Sequence, residues 1–343
     1  MFHHPSFDAH ERVLFASDET AGFRAIIAVH NTVRGPALGG CRVWTYADDD
    51  AALTDALRLS RGMSYKSAMA DLPLGGGKSV MIVKERGAAT PAMFEALGRA
   101  IADLNGRYIV AEDVGSSPKD LLNVRRHTAH VTGLDPEDGG RGDPSPTTSR
   151  GVFIGVEATA KAVGFSSLEG VHVAVQGLGN VGYGLARHLR DAGARLTVAD
   201  ISPERVAMAE RELGAKAAPV EAIGEVEADI FSPNALGAGL NAVTIPRLKV
   251  RAVAGGANNQ LATPADDEAL RERGILYAPD YVLNAGGVIK MAGEYYRWDD
   301  AEVDRRVGGI ADRLSEIFTE AARTSRPTGE VADRLAEARF ARH

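Results

Sequence analysis

The stretch VHVAVQGLGNVGYGLARHLRDAGARLTVAD (residues 171–200) decides the fold. It opens with an apolar run typical of a buried strand, passes through Gly177, Gly179 and Gly182 in GxGxxG spacing, and enters a helical pattern. Asp200 ends the next apolar run, 18 residues after Gly182. The motif alone is weak, but a strand before it, a helix after it and a distal carboxylate together indicate a dinucleotide-binding βαβ unit.

Each part of this motif has a physical reason. Gly177 permits a tight turn, Gly179 lets the backbone approach a pyrophosphate, and Gly182 lets the helix pack closely on the strand. The helix N-terminus offers N–H donors to phosphate. Asp200 would accept from both ribose hydroxyls and repel a 2′-phosphate, so the sequence favours NAD over NADP. The predicted cofactor-binding residues here are Gly177, Leu178, Gly179, Asn180, Val181, Gly182 and Asp200. The alternative is a glycine-rich turn without a ligand.

Beyond this motif, strands alternate with helical patterns. Further strands are predicted at 195–200, 228–233, 250–257 and 274–282. Strands that alternate with helices imply a parallel, doubly wound sheet. The segment 133–151 is rich in Gly, Pro, Asp and Ser and is typical of a linker. We therefore predict an α/β protein in which residues 135–283 form a Rossmann NAD-binding domain.

The segment before the linker is a second α/β domain, predicted for residues 1–134. Strands are expected at 23–30, 78–84 and 108–113, and a helix at 90–104 with Thr90 as its N-cap. The last segment is helical, since its apolar residues follow helical spacing. That stripe, which should pack against a core or a partner, is Val303, Val307, Ile310, Leu314, Ile317, Phe318 and Ala321.

Composition excludes several classes of protein. The chain has 343 residues and a formal charge of −7, and it lacks a long Lys/Arg run, so we expect no nucleic-acid or membrane partner. No apolar run is long enough to span a bilayer, and the start of the chain lacks the pattern of a signal peptide. The single cysteine, Cys41, fits a cytoplasmic protein. The histidines show no metal-ligand spacing, so no metal is predicted.

Two lysines and an aspartate are candidates for catalysis. LGGGKS (74–79) resembles the end of a P-loop, but Leu72 stands where the first glycine should be, and an apolar strand follows. Lys66 lies near the end of a helix, Lys78 at the start of a strand and Asp113 at the end of another. Lysines in apolar surroundings need a partner. A structural Lys–Asp ion pair is the alternative to a catalytic one.

At this point the sequence resembles the Glu/Leu/Phe/Val amino-acid dehydrogenases, in order over residues 23–296. The motifs that carry the resemblance are PALGGCRVW (36–44), RGMSYKSAMADLPLGGGKSV (61–80), AEDVGSSP (111–118), GDPSPTTSRGV (142–152), QGLGNVG (176–182), NALG (234–237), GGANNQL (255–261) and NAGGVI (284–289). The lysine pair, its glycine turn and AEDVG are the most specific of these motifs.

The resemblance implies roles for these residues. Lys66 would bind the substrate α-carboxylate, Lys78 would be the general base that activates water, and Asp113 would move protons to and from the amino nitrogen. A second ammonium favours the neutral amine that a base needs, whereas a nearby carboxylate opposes it, and the sequence leaves this balance open. The residues implied at the nicotinamide side are Thr148, Asn234, Ala235 and Asn258.

The resemblance also points to the substrate pocket. Glutamate members carry a lysine where this chain has Leu38, so glutamate is disfavoured. Ala111 with Val288 is similar to the leucine members, whereas Met291 departs from the expected valine. Leucine, valine and isoleucine are therefore the expected substrates, with ammonium and 2-oxo acids as products. The implied substrate-binding residues are Lys66, Leu38, Gly39, Gly40, Ala111, Asn258, Val288 and Met291.

Two other functions remain open at this point. One is a dehydrogenase for phenylalanine or another bulky amino acid, and the other is an NAD-binding regulator without catalysis. The resemblance further implies that residues 284–343 return to the first domain, that a cleft closes over the substrate, and that the chain forms a homo-oligomer, either a dimer or an octamer.

Overall fold

A computed structural model describes residues 2–341. The chain forms two compact units. The first unit comprises residues 2–143, 290–302 and 336–341, and the second comprises residues 144–289 and 303–335.

The first unit is built on a five-stranded mixed sheet. Its strands are β1 (Arg12–Asp18), β2 (Phe23–Asn31), β3 (Ala37–Trp44), β4 (Gly75–Ile82) and β5 (Tyr108–Glu112). Its helices are α1 (Asp49–Met69), α2 (Pro91–Ala102) and α3 (Pro118–Arg125). The strand order is β1-β2-β4-β3-β5, in which β3, β4 and β5 run parallel and β2 runs antiparallel to both of its neighbours. The carboxyl ends of three parallel strands therefore meet at one edge.

Alternation along the strands gives this sheet two different faces. One face packs against α2 and α3 and buries Cys41, Met81, Val110 and other apolar side chains. On the other face, which we call the α1 face, Ile26 and Val80 pack against apolar residues of α1. Because successive side chains point to opposite faces, every second residue of β3, β4 and β5 lies on the α1 face.

The second unit is built on a six-stranded parallel sheet, which confirms the predicted doubly wound class. Its strands are β6 (His172–Gln176), β7 (Arg195–Ala199), β8 (Lys216–Ala217), β9 (Ile230–Pro233), β10 (Ala252–Val253) and β11 (Leu276–Tyr277), in the order β11-β10-β9-β6-β7-β8. Its helices are α4 (Ser145–Ala162), α5 (Asn180–Asp191), α6 (Pro203–Leu213), α7 (Ala265–Glu272) and α8 (Asp280–Leu283). Short 3₁₀ helices occupy Pro136–Asp138, Ile223–Glu225 and Ile245–Arg247. The final helices, each with residues in both units, are α9 (Gly286–Tyr295), α10 (Asp300–Thr324) and α11 (Thr328–Phe340).

The structure differs from the sequence prediction at several elements. β1 and β3 were not predicted, and α4 begins at Ser145, inside the segment expected to be a linker. Residues 284–289 and 303–335, expected with the first domain, group with the second unit, and residues 135–143, expected with the Rossmann domain, group with the first. For residues 303–335 the reason lies in α10, whose Ile310 packs against Gly151 of α4 so closely that a Cβ there would lie 2.9 Å from Ile310 Cδ1.

The described part of the chain contains neither a membrane-spanning helix nor a cluster of metal-binding side chains. Between residues 2 and 341, none of the helices combines the length and apolar character needed to cross a bilayer. In the same range, His, Cys, Asp and Glu side chains do not gather in a group that could hold a metal ion.

Asp267 of α7 fastens the start of α11 to the second unit. Its Oδ2 accepts a hydrogen bond of 3.1 Å from the Glu330 N–H, whereas its buried Oδ1 has no hydrogen-bond partner within residues 2–341. Burial raises the pKa of Asp267 to about 6. The folded state holds the proton of Asp267 more tightly than the unfolded chain does. The free energy of unfolding therefore falls as pH rises from about 4 to about 6.

We therefore expect Asp267→Asn to stabilise the protein at pH 8, by up to about 3 kcal/mol since each pKa unit corresponds to about 1.4 kcal/mol. At pH 4 the gain should disappear, because the native carboxyl is then protonated. Thermal unfolding at both pH values measures the difference, with the exposed Glu272→Gln as a control. An equal effect of Asp267→Asn at pH 4 and pH 8 would contradict this account.

Candidate active site

Lys78 and Asp113 meet on the α1 face of the first sheet. Lys78 lies on β4, and Asp113 directly follows β5. The strand between them, β3, pairs its Gly40 with Ala111 of β5 in parallel register. The Lys78 Nζ donates a hydrogen bond to Asp113 Oδ2. The structure thus brings together two of the residues predicted from sequence.

The pair is largely removed from water. Lys78 is only 6% exposed, and Asp113 is mostly buried as well. Burial by itself would raise the pKa of Asp113, but the Lys78 ammonium and the Arg42 guanidinium outweigh this effect and hold the pKa below its ordinary value. Asp113 therefore stays ionised between two cations.

Gly40 makes room for the aspartate. A Cβ on Gly40 would lie 2.7 Å from Asp113 Cβ and 2.7 Å from the Glu112 carbonyl oxygen. Any side chain at position 40 would therefore displace the carboxylate that contacts Lys78. This close approach explains why the apolar pattern of β3 is interrupted at this point, which is also why β3 was hard to recognise as a strand.

Arg42 is a charged neighbour of this pair that the sequence analysis missed. Its Nε donates to Asp113 Oδ2 over 3.2 Å, and its Nη1 donates to Asp55 Oδ2 over 3.0 Å. The Tyr46 hydroxyl donates to the same Asp55 oxygen over 2.6 Å. The available signal was the position of Arg42 two residues after Gly40, which places both on one face of a strand.

Lys66 lies in the last turn of α1 and is half-buried. The same part of the helix passes directly over the turn that leads to Lys78. A Cβ on Gly76 would lie only 2.0 Å from the Ser64 backbone nitrogen, two residues before Lys66. The glycine of this turn therefore allows the end of α1 to approach β4.

The predicted pocket residues of the first unit divide between the two faces. Leu38 and Ala111 are each 1% exposed and lie on the α1 face, as Lys78 does. Gly39 lies on the opposite face, where its carbonyl oxygen accepts a hydrogen bond of 2.9 Å from the Tyr108 hydroxyl. Leu38 and Ala111 thus place apolar side chains on this face two residues before Gly40 and Asp113, whereas Arg42 of β3 contacts Asp113 itself.

The remaining pocket candidates lie on α9. Val288 belongs to the second unit and is buried. Met291 belongs to the first unit and is half-buried, and its carbonyl oxygen accepts a hydrogen bond of 2.9 Å from Thr132 Oγ1. The backbone of α9 is thereby fixed at Met291.

In the second unit, the glycines of the βαβ turn meet two different constraints. Gly177 has a φ of +88°, a conformation that favours glycine, and a Cβ on Gly182 would lie 2.0 Å from the Gly177 carbonyl oxygen. A Cβ on Gly179, by contrast, would meet no atom within 4 Å. The turn therefore leaves no room for a side chain at position 182 but leaves open space beside Gly179.

Asp200 faces this turn from the end of β7. Its Oδ2 accepts a hydrogen bond of 2.6 Å from the Leu178 N–H, and its Oδ1 accepts one of 2.8 Å from the Ser202 N–H. The first turn of α5 holds Asn180 and Val181, and no side chain of residues 2–341 caps that helix start. Backbone N–H groups at an uncapped helix N-terminus attract anions.

Each asparagine implied by the resemblance is held by a hydrogen bond to another residue of the second unit. Asn234 Oδ1 accepts from the Gly256 N–H over 2.8 Å, and Asn284 Nδ2 donates to Asn258 Oδ1 over 2.9 Å. The Ala235 backbone nitrogen would lie 3.0 Å from a Cβ on Gly177. The loop of Asn234 and Ala235 therefore lies against the glycine turn.

Thr148, the remaining nicotinamide-side candidate, lies in the first turn of α4. Its Oγ1 donates to the Pro144 carbonyl oxygen over 2.9 Å and would lie 3.0 Å from a Cβ on Gly287. Because Gly287 has no side chain, the start of α9 can lie close to Thr148.

Two family models match nearly the whole chain. The dimerisation domain of the Glu/Leu/Phe/Val dehydrogenases matches residues 7–130, and the Glutamate/Leucine/Phenylalanine/Valine dehydrogenase model matches residues 139–204 and 198–341. The chain belongs to this family. It is an amino-acid dehydrogenase, as the motifs around Lys78 and Asp113 predicted.

Individual relatives agree with this assignment. The chain is 51% identical to leucine dehydrogenase of Geobacillus stearothermophilus over 96% of its length and 90% of the relative's length. It is 42% identical to phenylalanine dehydrogenase of Caldalkalibacillus thermarum, over 96% and 91% of the two chains. The crystal structure of L-tryptophan dehydrogenase from Nostoc punctiforme superposes with a TM-score of 0.88 at 41% identity, covering 97% and 96%.

The two glycines should respond differently to alanine. Gly182→Ala places a methyl group against the Gly177 carbonyl oxygen and should lower the melting temperature of the protein clearly. Gly179→Ala enters open space and should cost less than about 1 kcal/mol, yet it should weaken the binding of NADH. Thermal unfolding and NADH fluorescence titration measure both effects. Full NADH affinity in Gly179→Ala would contradict a dinucleotide at this turn.

Proposed function

We propose that the protein is an NAD-dependent dehydrogenase of branched-chain aliphatic L-amino acids, such as leucine, valine and isoleucine. The reaction converts an L-amino acid, NAD⁺ and water to a 2-oxo acid, ammonium, NADH and a proton, and it is reversible. The observation that carries this proposal is the buried contact between Lys78 and Asp113, beside the apolar Leu38 and Ala111.

The residues of the first unit divide the work of proton transfer and binding. Lys66 binds the substrate α-carboxylate as a point charge. Asp113, held ionised by its neighbours, takes a proton from the amino group and returns one to the leaving nitrogen. Lys78 acts as the general base in its neutral amine form, which removes a proton from the water that attacks the imino carbon, and in the reverse direction its ammonium form polarises the 2-oxo carbonyl.

The second unit fits NAD. The open space above Gly179, the uncapped start of α5 and the carboxylate of Asp200 match the pyrophosphate and ribose of a dinucleotide. NAD supplies a hydride acceptor for the substrate Cα. Asp200 favours a free 2′-hydroxyl over a 2′-phosphate, while Asn234 and Asn258 bind at the nicotinamide side.

The substrate side chain is proposed to be aliphatic for an electrostatic reason. A glutamate γ-carboxylate needs a cation, and the side chain at position 38 is an apolar leucine that is 1% exposed. An unpaired buried carboxylate costs several kcal/mol. The relatives named leucine dehydrogenase also support this substrate class.

We also propose that the chain works as a homo-oligomer, either a dimer or an octamer. The family model over residues 7–130 describes a dimerisation domain, which supports this proposal. A regulator that only binds NAD would have no need for the Lys78–Asp113 pair.

A panel of L-amino acids tests the substrate. We expect leucine, valine and isoleucine to give comparable kcat/KM, because one methylene discriminates by only about 1–3 kcal/mol. Glutamate should give almost no NADH, and NADP should replace NAD poorly. Absorbance of NADH measures each rate. A higher kcat/KM for phenylalanine than for leucine would instead assign the protein to the bulky-substrate class.

A second test addresses the base. Lys78→Ala should lower kcat by roughly 10²–10⁴-fold, the usual contribution of general acid–base catalysis, while NADH affinity stays unchanged. Lys84→Ala provides the control, since Lys84 lies six residues further along the chain and is exposed. Turnover of Lys78→Ala at the rate of the control would refute the assignment of the base.

A further inference from the structure

We propose that Arg42 is a positioning residue of this reaction. Asp55 holds Arg42, and Arg42 in turn holds Asp113 beside Lys78. The inference rests on the proposed function, because it assigns Arg42 a role in proton transfer by Asp113. It goes beyond that function by adding a group from a third strand, β3, to the two residues named from sequence.

The geometry of the Arg42 side chain carries the first step. Its Nε and the Lys78 Nζ both donate to the same oxygen, Oδ2 of Asp113. Two donors from different strands fix the direction in which the carboxylate points better than one flexible ammonium could. Arg42 thus defines where the Asp113 carboxylate lies.

The second step concerns what holds Arg42 itself. Its Nη1 donates to both oxygens of Asp55, over 3.3 and 3.0 Å, and the Tyr46 hydroxyl donates to Oδ2 of Asp55. Asp55 lies on α1, so the helix that covers the α1 face also orients the guanidinium. The planar fork of arginine presents separate N–H donors to the two carboxylates in a fixed geometry, whereas a lysine at this position would offer one flexible ammonium.

Charged and titratable groups surround Arg42 and Asp113. Arg42 and Asp55 line an open cavity of about 560 Å³, together with Trp44, Tyr46, Ala51, Thr54, Arg58 and Val114. The charged and titratable groups of the first unit that interact with Asp113 or Arg42 include Cys41, Tyr46, Asp55, Lys78, Tyr108 and Glu112, besides Asp113 and Arg42 themselves, and Arg58 of α1 lines the same cavity. Arg42 and Lys78 are the cations that contact Asp113.

These charges have consequences of opposite sign for two substitutions. Removing the positive charge of Arg42 favours the protonated form of every neighbouring group, so the pH dependence of catalysis should move to higher pH. Removing the negative charge of Asp55 frees Arg42 to act on Asp113 more strongly, so the profile should move to lower pH. A purely structural disturbance of the same contacts has no reason to produce opposite shifts.

The experiment compares pH profiles of kcat/KM for leucine in the wild type, Arg42→Met, Arg42→Lys and Asp55→Asn. We expect Arg42→Met to lose roughly tenfold to a hundredfold in kcat/KM, as for a hydrogen bond to a charged group, and to shift upward by about one pH unit. Arg42→Lys should recover part of the loss and most of the shift. Asp55→Asn should shift downward by a few tenths of a unit.

Arg24→Met is the matched control. Arg24 lies on β2 of the same sheet and pairs with Asp49 at the start of the same helix, but both side chains are more than half exposed. This variant should keep the wild-type profile. NADH affinity should be the same in all of these variants, because their substitutions lie outside the second unit.

A second readout needs neither substrate nor cofactor. The lowered pKa of Asp113 stabilises the folded state above the ordinary carboxyl pKa, and this stability is lost as pH falls. Because this loss takes place below the ordinary value of about 3.8, Arg42→Met should show a smaller difference in melting temperature between pH 7 and pH 3 than Arg24→Met does. Arg42→Lys should keep most of this difference, so the comparison holds even where Arg42→Met folds poorly.

The outcomes separate this inference from the proposed function. Opposite profile shifts in Arg42→Met and Asp55→Asn support it. Superimposed profiles of the variants and an active wild type overturn the role of Arg42 and leave the function standing. A wild type that deaminates none of the branched-chain amino acids overturns the proposed function, and the role of Arg42 falls with it.

Discussion

The contact between Lys78 and Asp113 is the constraint on which the first unit depends. Burying an ammonium and a carboxylate is unfavourable unless each has a partner, and this pair is tied to strands on either side of β3. The register of the parallel strands therefore sets the separation of the two charged groups. Gly40 and Gly76 then follow as requirements, because a side chain at either position would push the carboxylate or α1 away.

In the proposed function, the two units hold charged ligands by different means. The first unit uses charged side chains that are largely buried. The orientation of each charged group and its pairing with an opposite charge both matter there. The second unit uses backbone N–H groups at the start of α5 and one carboxylate, Asp200, that is itself held by backbone N–H groups. A backbone site depends on tight turns and tolerates little change at Gly177 or Gly182, whereas a side-chain site depends on the balance of neighbouring charges.

The sequence was informative where local pattern and function coincide. The strand, glycine turn, helix and Asp200 of the second unit follow from one continuous stretch, and Lys78 and Asp113 stand out as charges in apolar surroundings. Arg42 did not stand out, because its role depends on the register of β3 against β5 and on Asp55 of α1. β3 itself was hidden by Gly39 and Gly40, which lower the β-propensity of the strand that separates the two catalytic candidates.

Charge balance links these groups to the proposed substrate. Within the set of Lys78, Arg42, Asp113 and Asp55, two cations face two carboxylates, so this set is neutral as it stands. A bound amino acid adds one carboxylate, which the proposed role of Lys66 answers, and one ammonium group, which the proposed role of Asp113 answers. A second carboxylate on the substrate side chain would find no further cation in this set. Preference for an aliphatic side chain thus follows from the charge balance of the whole site as well as from the apolar side chain at position 38.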